Sequence, residues 1–297
     1  MSFNTIIGNE KIKDNLINTL KNKKISHSYM FVGVNGIGKK KLATEFAKAI
    51  LCESHTEIGC GRCKSCIKFD SNNNSDFYYI DLEEDENSIK IETIRKMQEK
   101  ILELPVESNK KVYIINNSDC MTKEAQNCLL KTLEEPPPFV SIILIVSNEN
   151  RILNTIKSRC LKFYFNNISN DEIFKYVKEK LHFENVTENM LNAAQGSIGK
   201  MIEIYNNKDL YEDIENIFSN IEQYNIIDVI SKMEILYKNK DNILNILDYI
   251  NTIFLKKIQL DKKYINYISC IEQTKKKINM NCNFDMCIDK LLFDIFD

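Results

Sequence analysis

Residues 111–160 read KVYIINNSDCMTKEAQNCLLKTLEEPPPFVSIILIVSNENRILNTIKSRC, and this stretch decides the fold. Residues 112–115 and 141–147 are short, apolar and rich in β-branched side chains, which is typical of strands buried on both faces of a parallel sheet. Between them, apolar residues recur at helical spacing until three prolines at 136–138 end the helix. A strand, a helix and a second strand predict one crossover unit of an α/β sheet.

The two residues that follow the first of these strands are unusual for a phosphate-handling sheet. Ligands of such sheets bind at the C-terminal ends of the strands. An ATPase places there an Asp that helps to hold Mg²⁺ and an acid that acts on the attacking water. Here the two residues are Asn116 and Asn117. Because an amide carries no charge, it is a poor ligand for a hard divalent cation, so we expect a degenerate acidic site.

A glycine-rich loop lies upstream, between a predicted strand at 28–32 and an apolar-periodic helix. The residues GVNGIGKK supply its candidate phosphate-binding positions, which are Gly33, Gly36, Gly38, Lys39 and Lys40. A strand, GxxxxGK and a helix predict a P-loop, whose backbone N–H groups and lysine face phosphates. The next residue should be a Ser or Thr that binds Mg²⁺, but it is Lys40. We expect no hydrolysis, and either nucleotide binding or a purely structural turn remains open.

Four cysteines follow that helix with the spacing C-x7-C-x2-C-x2-C, at Cys52, Cys60, Cys63 and Cys66. Four thiolates form a closed tetrahedral set for structural Zn²⁺ and leave no open position for catalysis. We predict a zinc module at 52–66, in which His55 could replace one thiolate. An iron–sulfur cluster is an alternative, although the x3-C-P continuation is missing. Four unrelated buried thiols are the remaining interpretation.

Two further polar positions are candidates near the same sheet. Asn148 follows the strand at 141–147, where a polar residue either senses a γ-phosphate or shapes a turn. Arg159 directly precedes a predicted strand at 161–165. On position alone, a surface salt bridge is the simpler interpretation of Arg159.

The rest of the chain predicts helices. Ser169 and Glu172 form a capping box that opens a small helical module of about forty residues. Residues 208–297 predict four or five helices with apolar stripes, for example through Ile243 and Ile250, and no catalytic constellation. A helical segment of this kind is typical of packing or oligomerisation.

Composition sets the class of protein and its environment. A chain of 297 residues with 43% hydrophobic and 28% charged residues is typical of two or three globular domains. The net charge of −2 argues against a strongly basic nucleic-acid binder. No apolar run approaches the roughly 20 residues of a membrane span, and the start MSFNTIIGNE lacks a signal-peptide layout. We therefore expect a cytoplasmic protein without membrane contact, whose cysteines are reduced or bind metal.

Together these segments resemble the δ′ subunits of bacterial DNA polymerase III, which are clamp-loader members of the AAA+ superfamily. The resemblance covers residues 1 to about 205 and rests on IIGNEKIKDNL, ISHSYMFVGVNGIGK, the cysteine set, KVYIINNSDCMTKEAQNCLLKTLEEPPP, IKSRC and QGSIGK. It implies an α/β and then all-α fold. An AAA+ P-loop base domain at 1–166, with the zinc module inserted, would precede a helical lid at 167–207 and a helical collar at 208–297.

The resemblance also implies a function. Such a subunit completes a ring with γ/τ and δ subunits and supports ATP-dependent loading of the sliding clamp onto primer-template DNA, within a DNA-directed DNA polymerase, a transferase. By position, Lys39 matches the P-loop lysine, and Asn116 and Asn117 match the Walker B acids. Arg159 matches the arginine finger that reaches into the ATP site of a neighbour. The chain itself is then not expected to be catalytic.

The motor subunits γ/τ are the main alternative, because they share several of these motifs. They should show GKT or GKS, an intact acidic strand end and a lid arginine, where this chain has Gly199 followed by Lys200. This chain therefore differs from the motor pattern at three places, and these differences favour the non-hydrolysing member. Two other hypotheses remain: a working ATPase in which Lys40 replaces metal contacts, and direct nucleic-acid binding by the zinc module. Against nucleic-acid binding by the zinc module, the residues around the cysteines lack a pattern of basic and aromatic side chains.

Overall fold

The two apolar runs of residues 111–160 lie side by side in a five-stranded parallel sheet in the computed structural model. The strands are β1 (Ser28–Val32), β2 (Phe77–Ile80), β3 (Lys111–Ile115), β4 (Val140–Val146) and β5 (Leu161–Tyr164). Their order is β2-β3-β4-β1-β5. Every residue of β1, β3 and β4 is buried, as expected for strands covered on both faces. The predicted crossover unit is confirmed, because β3 and β4 pair in parallel.

Helices cover both faces of this sheet. They are α1 (Glu10–Lys21), α2 (Lys39–Ile50), α3 (Lys64–Asp70), α4 (Ile91–Ile101), α5 (Lys123–Glu134) and α6 (Asn154–Lys157). Met30 of β1 shares a core with Ile94 of α4 and Leu129 of α5. Its neighbour Tyr29 points to the opposite face, where its ring centroid lies 5.1 Å from that of Phe46 on α2. The alternation of side chains along β1 thus separates the two cores.

The sequence predicts an amphipathic helix at 6–20 and a strand at 76–82, and the structure differs from both at their ends. A helix from Ile6 is expected from apolar periodicity, but α1 begins at Glu10 because Gly8 and Asn9 have φ of 68° and 56°, which a helix cannot contain. A strand at 76–82 is expected, but β2 is shorter. The Asp76 carboxylate instead accepts three backbone N–H groups of the loop at 106–108.

Helices alone follow the sheet in the described residues. They are α7 (Asn170–Lys180), α8 (Glu188–Ala194), α9 (Ile198–Asn206), α10 (Lys208–Ser219), α11 (Glu234–Lys238), α12 (Ile243–Lys257), α13 (Lys263–Asn279) and α14 (Phe284–Phe296). The predicted capping box is present, with reciprocal bonds between Ser169 and Glu172. The predicted apolar stripe from Ile243 to Ile250 is buried on α12, which packs against α8, α10 and α13.

The structure describes residues 3, 6–54, 58–83, 86–224, 232–259 and 261–296. They belong to two compact units, Met1–Ile168 and Ser169–Asp297. The division of the second unit into a lid at 167–207 and a collar at 208–297 stays a prediction. Within the described ranges, none of the helices combines the length and apolar character needed to cross a bilayer.

Candidate functional site

The glycine-rich turn lies between β1 and α2 and needs its glycines. Gly36 and Gly38 have φ of 75° and 101°, in the left-handed region that residues with a Cβ rarely adopt. At Gly33, a Cβ would lie 2.9 Å from the Cβ of Phe165, so this position needs glycine for space. The three predicted glycines therefore fix the backbone path that leads into the N-terminus of α2.

The P-loop lysine contacts its own loop. Lys39 is 4% exposed and donates to the carbonyl oxygen of Gly33, to that of Val34 at 2.8 Å, and to Ser147 Oγ at 3.3 Å. A lysine ammonium has three N–H donors, so all three are used within the chain. Burial lowers the pKa of Lys39 to about 8, although the charge of Asp119 opposes this shift. A phosphate would reach this ammonium only after some of these bonds break.

Lys40 occupies the position where a hydroxyl would meet Mg²⁺. Its side chain is exposed, and its Nζ lies 4.5 Å from the centroid of the Tyr79 ring on β2. This is the distance of a cation–π contact. The position thus carries a cation that repels Mg²⁺ where a P-loop would offer an oxygen ligand.

Both strand-end asparagines donate to one carboxylate. Asn116 Nδ2 lies 3.0 Å from Asp81 Oδ2, and Asn117 Nδ2 lies 2.8 Å from Asp81 Oδ1. Partial burial opposes ionisation of Asp81, but hydrogen bonds led by that from Asn116 outweigh it and lower the pKa of Asp81. No local sequence pattern points to Asp81. Asp81 directly follows β2, as Asn116 directly follows β3. Because the C-terminal ends of neighbouring parallel strands lie at the same edge of the sheet, the two residues could have been expected to lie close together.

A second acid that was not predicted, Asp119, organises the end of β4. The residue is 9% exposed, and its carboxylate accepts the backbone N–H groups of Ser147 at 3.1 Å and Asn148 at 3.0 Å. Asn148 Oδ1 in turn accepts the N–H of Asn150 at 3.1 Å. Of the two interpretations of Asn148, these contacts favour the residue that shapes a turn.

A cavity of about 590 Å³ lies between the glycine-rich turn and the two strand-end asparagines. Its lining consists of Asn35, Gly36, Gly38, Lys39, Lys40, Lys41, Thr44, Glu45, Asn116, Asn117 and Ile145. Within this set three lysines face one glutamate, so the charge favours an anion. The predicted P-loop and strand-end residues are thus brought together. The cavity can attract phosphate electrostatically, but Lys40 and the two asparagines are poor partners for Mg²⁺.

Arg159 lies outside that lining, just after α6. Its side chain is 34% exposed, and one guanidinium nitrogen lies 2.7 Å from Glu134 Oε1, at the end of α5. A second nitrogen donates to the carbonyl oxygen of Thr155 at 2.8 Å. The surface salt bridge expected from position alone is therefore present. A partly exposed pair of this kind contributes about 0–1 kcal/mol, so Glu134 can be exchanged for another anion at low cost.

The four predicted metal ligands are clustered in space. The Sγ atoms of Cys52, Cys60, Cys63 and Cys66 all lie within 4.8 Å of one another, and tetrahedral Zn–S bonds of about 2.3 Å place sulfurs about 3.8 Å apart. Backbone N–H groups, led by that of Arg62, lower the pKa of Cys60 to about 5. Burial raises the pKa of Cys66, so a bound cation would favour the thiolate form of this residue. The set fits a structural zinc ion; His55 lies outside the described residues.

The position expected to carry a lid arginine in a motor subunit lies at the start of α9. Gly199 stands there, and the Nζ of its neighbour Lys200 lies 3.0 Å from Asp248 Oδ2 on α12. Lys275 of α13 binds the other oxygen of Asp248 at 2.6 Å. Lys200 therefore has a structural partner within the helical unit.

A solved structure is similar to this chain along most of its length. The gamma subunit-related protein of DNA polymerase III from Thermotoga maritima matches 96% of this chain and 98% of its own, with a TM-score of 0.50 and 16% sequence identity. This likeness concerns the fold alone. The parallel sheet with its glycine loop, followed by helices, places the chain in the class of AAA+ P-loop proteins.

Sequence relatives narrow that class to a family. A family model described as "DNA polymerase III, delta subunit" matches residues 8–169. Subunit delta' of Bacillus subtilis is 32% identical over 200 residues, 66% of this chain and 59% of its own length. Subunit gamma of Buchnera aphidicola subsp. Baizongia pistaciae is 30% identical over 269 residues, 89% of this chain and 70% of its own. The chain belongs to the DNA polymerase III delta subunit family.

Some of these relatives are much longer proteins. Subunit tau/gamma of Haemophilus influenzae is 33% identical over 204 residues, which cover 66% of this chain but 29% of the relative. Identity alone does not separate delta' from gamma and tau, because both kinds match at similar levels.

Proposed function

We propose that this chain is the δ′-type, non-hydrolysing member of a DNA polymerase III clamp-loader ring. The observation that supports this proposal is the set of residues at the metal position. A lysine replaces the P-loop hydroxyl, and two amides bound to Asp81 replace the strand-end acids. Without a hydroxyl or carboxylate to fix Mg²⁺, the charge that develops on a transferring phosphoryl group has no metal to neutralise it.

We further propose that Arg159 acts as an arginine finger in the ATP site of a neighbouring subunit. Its partly exposed guanidinium has five N–H donors that match phosphate oxygens. Arg159 would leave Glu134 and bind the phosphates of the ATP that the neighbouring subunit holds. The chain would then supply a positive charge that stabilises the transition state in the neighbour's ATP site. Its own pocket would hydrolyse no ATP.

The partners under this proposal are γ/τ and δ subunits, and the complex as a whole acts on the sliding clamp and primer-template DNA in the cytoplasm. The base domain at 1–166, the lid at 167–207 and the collar at 208–297 would form this chain's segment of the ring. The cysteine set would hold structural zinc. Its own pocket, with Lys39 bonded to the loop, would use neither ATP nor Mg²⁺ for turnover, although the complex belongs to a DNA-directed DNA polymerase, a transferase.

The alternative is an ATP-hydrolysing γ/τ-like motor. The observation in its favour is that relatives named gamma and tau/gamma match this chain as closely as a delta' subunit does. A motor would hydrolyse Mg-ATP in its own pocket and depend on Lys39. The substitutions at positions 40, 116 and 117 weigh against it.

An Arg159→Ala variant in the reconstituted clamp loader tests the proposed role. Because an arginine finger in trans contributes about 10³–10⁵ in rate at its site, we expect clamp loading by the whole complex to fall roughly tenfold or more. Size-exclusion chromatography should show intact assembly. Arg151→Ala, which removes an exposed arginine of the same unit, is the matched control and should leave loading unchanged. Normal clamp loading by the Arg159→Ala complex would contradict the role.

A further inference from the structure

We propose that Ser65 is the positioning residue of the metal site: it holds Cys52 in register with the cysteines at the start of α3. Ser65 lies between Cys63 and Cys66 in the sequence and is fully buried. The inference rests on the zinc site proposed above and does not depend on whether the chain hydrolyses ATP. The C-x2-C spacing identifies the ligands but not the residue that aligns them.

The cysteines come from elements that the fold must bring together. Cys52 directly follows Leu51, the C-cap of α2, whereas Cys63 and Cys66 belong to the first turn of α3. Cys52 and Cys66 are both buried, so neither can move far in a close-packed interior to meet an ion. A metal site needs its ligands within roughly 0.5 Å of the binding geometry. The placement of Cys52 relative to α3 therefore decides how well the ion is held.

Ser65 bonds to the residue on each side of Cys52. Its hydroxyl donates to the carbonyl oxygen of Leu51 at 2.8 Å. Its backbone N–H donates to Glu53 Oε1 at 2.9 Å. Because one bond lies before Cys52 in the chain and the other lies after it, the two together fix the backbone that carries this ligand against the first turn of α3.

Ser65 is itself held in place by Asn74. The amide nitrogen of Asn74 donates to Ser65 Oγ at 2.9 Å and to the Ser65 carbonyl oxygen at 3.1 Å. Asn74 Oδ1 accepts the N–H of Asp76 at 2.9 Å, just before β2. The Ser65 hydroxyl thus donates one bond and accepts another. An alanine at this position would leave buried polar groups of Leu51 and Asn74 without this partner, which is costly.

Backbone N–H groups connect the sulfurs to one another. The N–H of Cys60 donates to Cys52 Sγ at 3.4 Å, and that of Cys63 donates to Cys60 Sγ at 3.3 Å. The N–H of Cys66 in turn donates to Cys63 Sγ at 3.4 Å. Such bonds favour the thiolate, which is the form that binds a metal. A displacement of Cys52 would therefore also disturb Cys60, through the first of these bonds.

Other contacts keep α3 on the sheet domain without the Ser65 hydroxyl. Lys48 Nζ of α2 lies 2.6 and 2.7 Å from the two carboxylate oxygens of Asp70, the last residue of α3. The ring centroids of Phe69 and Phe77 lie 4.4 Å apart. Both contacts lie at the end of α3 away from the cysteines. The variant Ser65→Ala should therefore fold and lose mainly the alignment of the ligands.

The first test is the zinc affinity of the full-length S65A chain, measured by competition with a chromophoric chelator. We expect zinc to bind about 10- to 100-fold more weakly, the loss that is usual when a partner outside the ligand set is removed. The matched control is Ser71→Ala. It removes an exposed hydroxyl at the C-cap of α3 that donates to the Lys68 carbonyl oxygen at 3.0 Å. Wild-type affinity in S65A, or an equal loss in S71A, would overturn the proposal.

The second test separates the hydrogen bond of Glu53 from its charge. Glu53 is exposed, so its substitution does not endanger folding. The variants Glu53→Ala and Glu53→Gln remove the same charge, but only E53Q keeps an oxygen that can accept the Ser65 N–H. Since one hydrogen bond separates the two, we expect zinc to bind E53Q about threefold or more tightly than E53A. Equal zinc affinities in the two variants would overturn the proposal.

A third measurement distinguishes alignment of the ligands from general support of the fold. If Ser65 only supported the fold, S65A would lower the Tm of the metal-free and zinc-loaded chains alike. We expect instead that the rise in Tm produced by zinc is smaller in S65A than in the wild type, because weaker binding stabilises less. An equal rise would overturn the proposal. A wild type that binds no zinc would refute the metal site as well, whereas ATP turnover would refute the non-hydrolysing role only.

Discussion

At the scale of single residues, Lys39 stands at the position of a P-loop lysine but contacts its own chain. Its ammonium is buried and bonded to Gly33, Val34 and Ser147. Burial lowers its pKa to about 8 in the folded protein, below the value of about 10.4 in an unfolded chain. Between these values the unfolded state binds more protons, so the contribution of Lys39 to stability rises with pH.

The variant Lys39→Met should remove this dependence. We expect the stability of the wild type relative to K39M to increase between about pH 8 and pH 10, as measured by urea unfolding at pH 7.5 and 9.5. Lys40→Met is the control, since Lys40 is exposed, and its stability difference from the wild type should not change over this range. An equal wild-type-to-K39M difference at both pH values would show that Lys39 is not desolvated as described.

At the scale of elements, the cysteine module depends on its metal. The helix α3 has seven residues, and a helix this short is not stable without tertiary support. Its N-cap is Cys63, whose side chain accepts the N–H of Cys66. Two of the four sulfurs thus belong to the first turn of α3, so a bound ion would hold the start of this helix to the end of α2.

We predict one zinc ion per chain, lost in the variant Cys63→Ser. Metal analysis of the purified protein measures this directly, and limited proteolysis should cut C63S faster between α2 and α3. Cys282→Ser is the matched control, because Cys282 is exposed and lies outside the cluster; its metal content should equal that of the wild type. Iron in place of zinc would favour the iron–sulfur alternative, and full zinc in C63S would contradict the four-thiolate site.

The elements also show what a sequence can predict. The strands at 112–115 and 141–147 are found because their apolar pattern is local. Asp81 is missed because its contact with Asn116 depends on the pairing of β2 with β3, which a local pattern does not reveal. The contact of Lys40 with Tyr79 is missed because it joins elements far apart in the chain and depends on a side-chain rotamer. The start of α1 at Glu10 follows from a left-handed Asn9 that apolar spacing does not record.

At the scale of the whole molecule, we propose that a neighbouring subunit hydrolyses ATP and that this chain contributes Arg159 to that site. The chain belongs to the DNA polymerase III delta subunit family, and its pocket has a positive lining in which Lys40, Asn116 and Asn117 stand where a motor would hold Mg²⁺. Relatives named gamma and delta' match it at similar identity, so the distinction between a motor and a non-hydrolysing member depends on a few side chains. Whether the isolated chain turns over ATP therefore decides between the two.

The most direct measurement is phosphate release from Mg-ATP by the purified full chain, compared with its Lys39→Ala variant. Wild type and K39A should release phosphate at the same background rate, because Lys40 and the two asparagines provide no magnesium site. Turnover at about 1 s⁻¹ or faster, within the usual range for enzymes, that disappears in K39A would contradict the account and establish a working motor.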